Sequence, residues 1–397
     1  MHLLKKIFKL QFLLALILQV CFIDTEDVHA QESWFFPSIS VRGTYDDNVF
    51  LAKDKRHSDW ITGVSPRLEF RPKLPKHKFM IDYAGDYNIF STFNGQNNFN
   101  HSSTTDAELN FNKLHVNLWN RFRSFSDRAG SEDVNRVPRV QDHVKFYTTY
   151  NFPKVDFTSG YRCRFEYYMS KRAIGSFNDQ NLTYKDADRI EQMGEMEVAA
   201  KVWPKTSILF SGDFGAVVHR TGKKPDSLFG DFLVGLRGKI LDKIKAEAKI
   251  GYRNQQYQHY SDNYSNIIFE GSVIADFTPH DVLRVDFLRT TNETIYKDNA
   301  YYISTFAGAT YKHGFTKKFS GEVFSTLQFD GYPTVTTEGD KTRNRMDTLW
   351  SSGCVFSYKM PIGFTLALRY AYLLRDSVFS KFSYYDNQII LSGTAEF

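Results

Sequence analysis

From Trp34 onward, polar and apolar residues alternate with a period of two over segments of about 9 to 15 residues, and no stretch carries a 3.6-residue apolar stripe. Within 243–253, Ile244, Ala246, Ala248, Ile250 and Tyr252 share one face, while Lys243, Lys245, Glu247, Lys249 and Arg253 share the other. Asp82 and Asp86 oppose Ile81, Tyr83 and Tyr87. His115, Asn117, Arg121 and Arg123 oppose Val116, Leu118 and Phe122, and Arg162, Arg164 and Glu166 oppose Tyr161, Cys163, Phe165 and Tyr167. Each segment reads as a strand with one wet face. Sandwich strands run about 5 or 6 residues, whereas tilted membrane-crossing strands need roughly 9 to 11, and most segments meet the longer requirement.

Turn chemistry adds a second regularity. Compact connections fall at 72–75, 112–113, 153–154, 204–205, 241–242, 279–280, 313–314 and 361–363. They alternate with more polar, usually longer loops at 44–59, 91–100, 124–138, 171–186, 219–228, 258–263, 292–299, 331–344 and 374–384. Short turns on one rim and long loops on the other predict an all-β fold, a transmembrane antiparallel β-barrel of about 18 strands. The nearest alternative is about 16, because the first segment and the region 109–118 are ambiguous. No Pro/Gly-rich linker divides the chain, so residues 31–397 read as one domain with both termini on the short-turn side. The long strands argue against a propeller or solenoid.

Composition narrows the picture. A mean hydropathy of -0.42 excludes a bundle of transmembrane helices, but a barrel hides its apolar residues in alternate positions. The 397 residues include 36 Phe and 23 Tyr, and Trp60, Trp119, Trp203 and Trp350 are candidates for aromatic girdles at the two membrane interfaces. The formal charge of +5 is spread among mixed signs and gives no support to nucleic-acid binding. Lys5, Lys6 and Lys9 precede a mostly apolar run over 10–23, and Val28 and Ala30 stand where a signal peptidase expects small residues. Residues 1–30 therefore read as a secretory signal peptide. Its removal leaves Cys163 and Cys354, too few for a disulfide framework.

The last strand carries the most specific signal: Ile389, Leu391, Gly393, Ala395 and Phe397 alternate on one face and end on an aromatic residue. This resembles the insertion signal of bacterial outer-membrane proteins, which is read by the barrel-assembly machinery. At the other end, the stretch ISVRGTYDDNVF at 39–50, with Tyr45, Asp46, Asp47 and Asn48 as its motif, resembles the opening of the putative β-barrel porin 2 group. Tyr296, Lys297, Asp298 and Asn299 are a looser echo. The resemblance implies an outer-membrane barrel in contact with lipid and lipopolysaccharide. It also implies a link, in some relatives, to exopolysaccharide-export components.

If the apolar faces meet lipid, the opposite faces turn Asp82, Asp86, Arg121, Arg123, Arg162, Arg164, Glu166, Lys243, Lys245, Glu247, Lys249, Arg253, Arg284 and Asp286 toward the interior. A lipid-facing Arg or Lys would cost roughly 2–4 kcal/mol near the midplane, so a polar lumen is the economical reading. Mixed signs suit either an electrostatic constriction or ion pairs that close the lumen. Asp46, Asp47 and Asn48 offer oxygens to Ca²⁺ but lack the ligand spacing of an EF-hand, so a turn is the default. No HExxH motif or Cys/His cluster recommends a metal site. Ser211 and Asp213 share a strand face, with His219 read on the other, and no nucleophile elbow fixes a triad. The expected protein is a non-enzymatic, cofactor-free porin-like channel for small solutes or extracellular polysaccharide. A plugged structural or surface-binding barrel is the alternative.

Overall fold

A computed structural model describes residues 34–126, 132, 135–177, 180–361 and 363–397; the expected signal peptide lies outside them. In chain order the strands are β1 (Phe35–Asp46), β2 (Asp59–Phe70), β3 (Lys78–Phe90), β4 (Asn98–Asn110), β5 (Leu114–Phe125), β6 (Arg139–Asn151) and β7 (Val155–Tyr168). A short hairpin, β8 (Ala173–Phe177) and β9 (Gln180–Thr183), follows. Then come β10 (Arg189–Trp203), β11 (Thr206–His219), β12 (Ser227–Leu241), β13 (Ile244–Tyr257), β14 (Tyr264–Thr278) and β15 (Asp281–Glu293). The series ends with β16 (Tyr301–Gly314), β17 (Phe319–Glu338), β18 (Lys341–Lys359), β19 (Phe364–Ser377) and β20 (Tyr384–Glu396).

All strands except β8 and β9 form one 18-stranded antiparallel sheet. Each strand pairs with its neighbours in sequence, and β1 pairs with β20 from Ser38↔Glu396 to Asp46↔Gln388, which closes the barrel and leaves no free edge between first and last strands. The expected compact turns lie on the rim where β1 begins and β20 ends, except that 313–314 closes β16 and the turn itself is 315–318. The hairpin β8–β9 sits within the loop between β7 and β10. One expected loop is different: 331–344 is mostly strand, because β17 and β18 extend past the barrel to a tight turn at Gly339, whose φ is +65°. The β-branched run Thr334, Val335, Thr336 and Thr337 favours that extension, and Val335↔Asn344 through Glu338↔Lys341 are paired.

The outer wall is apolar. Val41, Leu68, Ile81, Tyr161, Phe210, Ile250, Val323 and Leu368 are all exposed on it. Ile389, Leu391 and Phe397 are exposed on the same surface, and the Phe397 N–H continues the seam by donating to the Pro37 carbonyl at 3.0 Å. Trp60, Trp203 and Trp350 face outward, Trp203 because the register shifts between Lys201 and Trp203. Trp119 does not join them. It shares the inner face with Arg121, stacks edge-on against His143 with ring centroids 5.3 Å apart, and lies 4.9 Å from the Lys145 ammonium.

The motif at Tyr45–Asn48 acts at the seam. Asn48 is fully buried, and its amide donates to the carbonyls of Ala52 (2.8 Å) and Tyr385 (2.7 Å) while accepting the Ala52 N–H (2.9 Å). Asp47 accepts both the backbone and side-chain N–H of Asn387 at 2.8 Å. The group is a turn that ties the first long loop to the last strand.

Candidate functional site: the charged chamber and its external cover

The inner wall encloses a chamber of about 880 Å³ lined by acidic and basic side chains in near-equal number. Of the expected charges, Arg162, Arg164, Glu166, Lys249 and Arg253 line this chamber, and neighbouring strands bring their counter-ions. Arg162 Nε donates to Glu195, and Arg164 lies 3.5 Å from Glu166 and 3.8 Å from Glu191. Glu166 is buried and also meets Arg189 at 2.6 Å. Lys249 reaches Glu197 at 2.6 Å and Glu270 at 3.6 Å, while Glu247 accepts both Nε and Nη2 of Arg237 at 2.7 and 2.9 Å. Arg253 forms a two-pronged pair with Asp231 at 2.6 and 2.8 Å.

The remaining expected residues are dispersed. Asp86 is held by Arg42 at 2.6 and 2.8 Å, and Asp82 by Arg67 at 2.5 Å, on the far side of the barrel. Arg284 bonds Asp286 two residues along β15, Arg123 lies 4.1 Å above the Phe125 ring, and Arg121 is exposed. Lys245 is 65% exposed near the short-turn rim. Lys243 is not a wall residue: it stands in the turn before β13 and donates to the Phe277 carbonyl. A reading of Arg162 and Arg164 as a bare cationic cluster omits Glu191 and Glu195, which alternation on β10 aligns with them.

Side-chain exposure falls steeply toward the long-loop end, where Arg345, Asp347 and Arg375 are sealed from solvent at 0–1%. The cause is the loop 294–300 between β15 and β16. Its Thr294 hydroxyl and the Ile295 N–H donate to Glu132, the latter at 3.1 Å, and Ile295 packs with Val137, Tyr168 and Tyr184. These partners belong to the β5–β7 side and its loops, nearly half the ring away, so the loop crosses the mouth. Lys224, from the loop between β11 and β12, donates to the carbonyls of Thr294 and, at 3.1 Å, Asn299. Arg345 bonds Asp347 at 2.6 Å, the Glu132 carbonyl at 3.1 Å, and lies 3.8, 4.6 and 4.7 Å from the rings of Phe382, Tyr296 and Tyr332.

Burial leaves the two loop ions in the cover poorly solvated. It pushes the Glu132 carboxyl up and pulls the Lys224 ammonium down to about 8, against the opposing pull of Glu132 and Glu293. Sequence reading did not single out Glu132, Lys224 or Arg345. The echo at Tyr296–Asn299 was the available signal, and Asn299, like Asn48, is fully buried in a turn, accepting the Thr334 N–H at 2.9 Å.

His219 proves to share the inner parity of Ser211 and Asp213, correcting the expected face. No triad results: Ser211 donates to Glu197 at 3.2 Å, and His219 lies eight positions along the strand, about 27 Å away at full strand rise. Among the described residues no group of three His, Cys, Asp or Glu could hold a metal ion.

A closed antiparallel barrel with an apolar exterior, a charged interior, short turns on one rim and long loops on the other defines an outer-membrane β-barrel. The profile of the family Putative beta-barrel porin 2 matches residues 33–397, and the chain belongs to that family. No curated protein matches the chain in sequence. Solved structures similar to it include OpdQ of Pseudomonas aeruginosa, at 13% identity over 92% of this chain and 100% of that one with a TM-score of 0.46. OccAB3 of Acinetobacter baumannii is 10% identical over 91% of this chain and 99% of that one, with a TM-score of 0.45. A BenF-like porin from Pseudomonas fluorescens Pf-5 is 11% identical over 91% and 99%, with a TM-score of 0.46. With scores this low, the functional reading of this chain rests on its own geometry.

Proposed function

We propose that the protein is an outer-membrane channel for small hydrophilic solutes whose outer mouth is shut at rest by the loop 294–300. The observation that carries this reading is the 880 Å³ charged chamber within a closed barrel. A chamber that served packing alone would be filled with side chains, as small barrels are. Paired charges of both signs along the wall give a lumen that holds water and offers fixed dipoles to solutes of either sign. Passage then requires the cover to move, with no cofactor and no covalent chemistry. An exopolysaccharide strand would require displacement of most of the long-loop layer, so small solutes fit this geometry better than polymer.

The test is single-channel conductance of the refolded barrel, residues 31–397, in planar bilayers, compared with an Arg162→Glu/Arg164→Glu variant. Discrete openings whose ion preference shifts toward cations in the variant are expected. Folded, inserted protein that never conducts would overturn the channel. It would favour the second reading, a closed barrel whose loops bind envelope components, which the sealed Arg345–Asp347 layer supports.

A further inference from the structure

The wall is interrupted between β14 and β15. Their ladder runs from Thr278↔Asp281 to Phe269↔Arg289 and stops, although β14 continues to Tyr264 in pairing with β13 and β15 continues to Glu293 in pairing with β16. In continued register 264–268 would face 290–294. Instead the end of β15 steps inward: the Thr291 hydroxyl donates to Gln255 at 2.7 Å, and Tyr257 donates to Glu293 at 2.9 Å. Arg253 donates to Thr290 and Thr291 at 3.1 and 2.8 Å. Gln255, Tyr257 and Arg253 belong to the inner face of β13, so the end of β15 lies on the luminal side of β14. Tyr264 and Ile268 of β14 pack with Ala300 and Tyr301 there.

An unpaired sheet edge is costly in hydrocarbon, and this one is capped by side chains. The Ile267 carbonyl accepts from the Tyr264 hydroxyl at 2.8 Å and from Arg289 Nε at 3.3 Å, while the Ile267 N–H donates to Asn266 at 2.7 Å. Arg289 shares the outward parity of Phe287, and it also donates to the Thr305 hydroxyl at 2.7 Å and to the Tyr264 hydroxyl. All three partners are neutral, so among the described residues the guanidinium has no paired carboxylate. Eight residues of tilted strand place Arg289 roughly 20 Å above the short-turn rim, near the top of an apolar band about 25 Å tall, at the level of outer-leaflet head groups. Arg289 itself borders the chamber, as do its neighbours Phe269, Leu288 and Thr290.

We propose that this step is a lateral portal. An anionic amphiphile of the outer leaflet seats its head group on Arg289, lays its chain over exposed Ile267 and half-buried Phe287, and passes between β14 and β15 to the chamber. A guanidinium presents forked donors suited to a carboxylate or a phosphate, the chemistry shared by a fatty acid and an acidic phospholipid.

The experiment uses the refolded barrel in phosphatidylcholine liposomes with two photoreactive probes, diazirine palmitate and diazirine phosphatidic acid. Crosslinks are mapped on the wild type, on Arg289→Gln and on Arg289→Lys. Preferential labelling of 264–293 by at least one probe is expected, with a drop of about 10-fold in Arg289→Gln and partial retention in Arg289→Lys. Labelling of the chamber segment around Arg253 is expected in the wild type, falling together with the 264–293 signal in Arg289→Gln. Which probe labels identifies the source as free acid or membrane lipid. Even labelling around the outer wall, or labelling indifferent to Arg289→Gln in a barrel with normal heat-modifiable migration, would overturn the portal. Ion conductance is recorded in parallel. Its absence from every variant would refute the channel alone, leaving the labelling pattern to decide the portal.

Discussion

Lys224→Met probes the cover most directly. Lys224 is 1% exposed, donates to the carbonyls of Thr294 and Asn299, and is a cation that faces both Glu132, beside Arg345, and Glu293, beside Arg189. Methionine fills similar volume but leaves two buried carbonyls without this donor and removes one counter-charge from each of two carboxyls, Glu132 keeping Arg345 and Glu293 keeping Arg189. Breaking one partner of a buried ionic group costs about 3–5 kcal/mol, and here the cost falls on the docked state because the undocked loop is hydrated. The docking equilibrium of 294–300 should therefore shift by about 100- to 5,000-fold. The assay is external maleimide labelling of Ala300→Cys, a fully buried position, in a background with Cys163 and Cys354 replaced by alanine. Labelling should accelerate in Lys224→Met, open-state occupancy in bilayers should rise with it, and adding Glu132→Gln should recover part of the loss. A labelling rate within about 3-fold of the parent, in a barrel that keeps its heat-modifiable migration, would refute the idea that this ionic cluster holds the cover.

Other expectations concern the seam. Asn48→Ala removes three hydrogen bonds from a buried loop and should lower unfolding stability by roughly 2–3 kcal/mol, measured by urea titration in detergent micelles. Asp47 sits below the ordinary carboxylate value: burial alone would raise it, but the bonds from Asn387 and the charge of Arg56 outweigh that. A depressed folded-state value contributes stability that is present above pH 3.8 and lost as pH falls through the lowered value, so the wild type should lose its advantage over Asp47→Asn in that acidic window. Deleting Phe397 should reduce the yield of assembled barrel in cells far more than it changes stability after refolding. Equal yields would refute its role as an insertion signal.

Much of the fold was legible because its causes are local. Alternation between Lys245, Glu247 and Lys249 and their apolar neighbours specifies both a strand and its two environments, and the Pro- and Gly-marked compact turns set the hairpins. Trp119 was less legible: its parity put it with Arg121, yet its chemistry suited either face until His143 and Lys145 were brought beside it. The hairpin extension at 331–344 was hidden by polar residues that suit a loop and an exposed ladder equally well.

By itself, then, the chain determined an all-β barrel of about 18 strands and the sorting of charged and apolar faces, because strand geometry has a fixed period and lipid penalises misplacement. Tertiary structure alone decided which charges meet: Lys249 pairs with Glu197 across intervening strands, and Glu132 meets Thr294 across the mouth. It also decided that β15 leaves the wall beside β14. Those contacts join residues dozens to more than a hundred positions apart, where no local periodicity acts, and they form only once barrel closure fixes which strands and loops face one another.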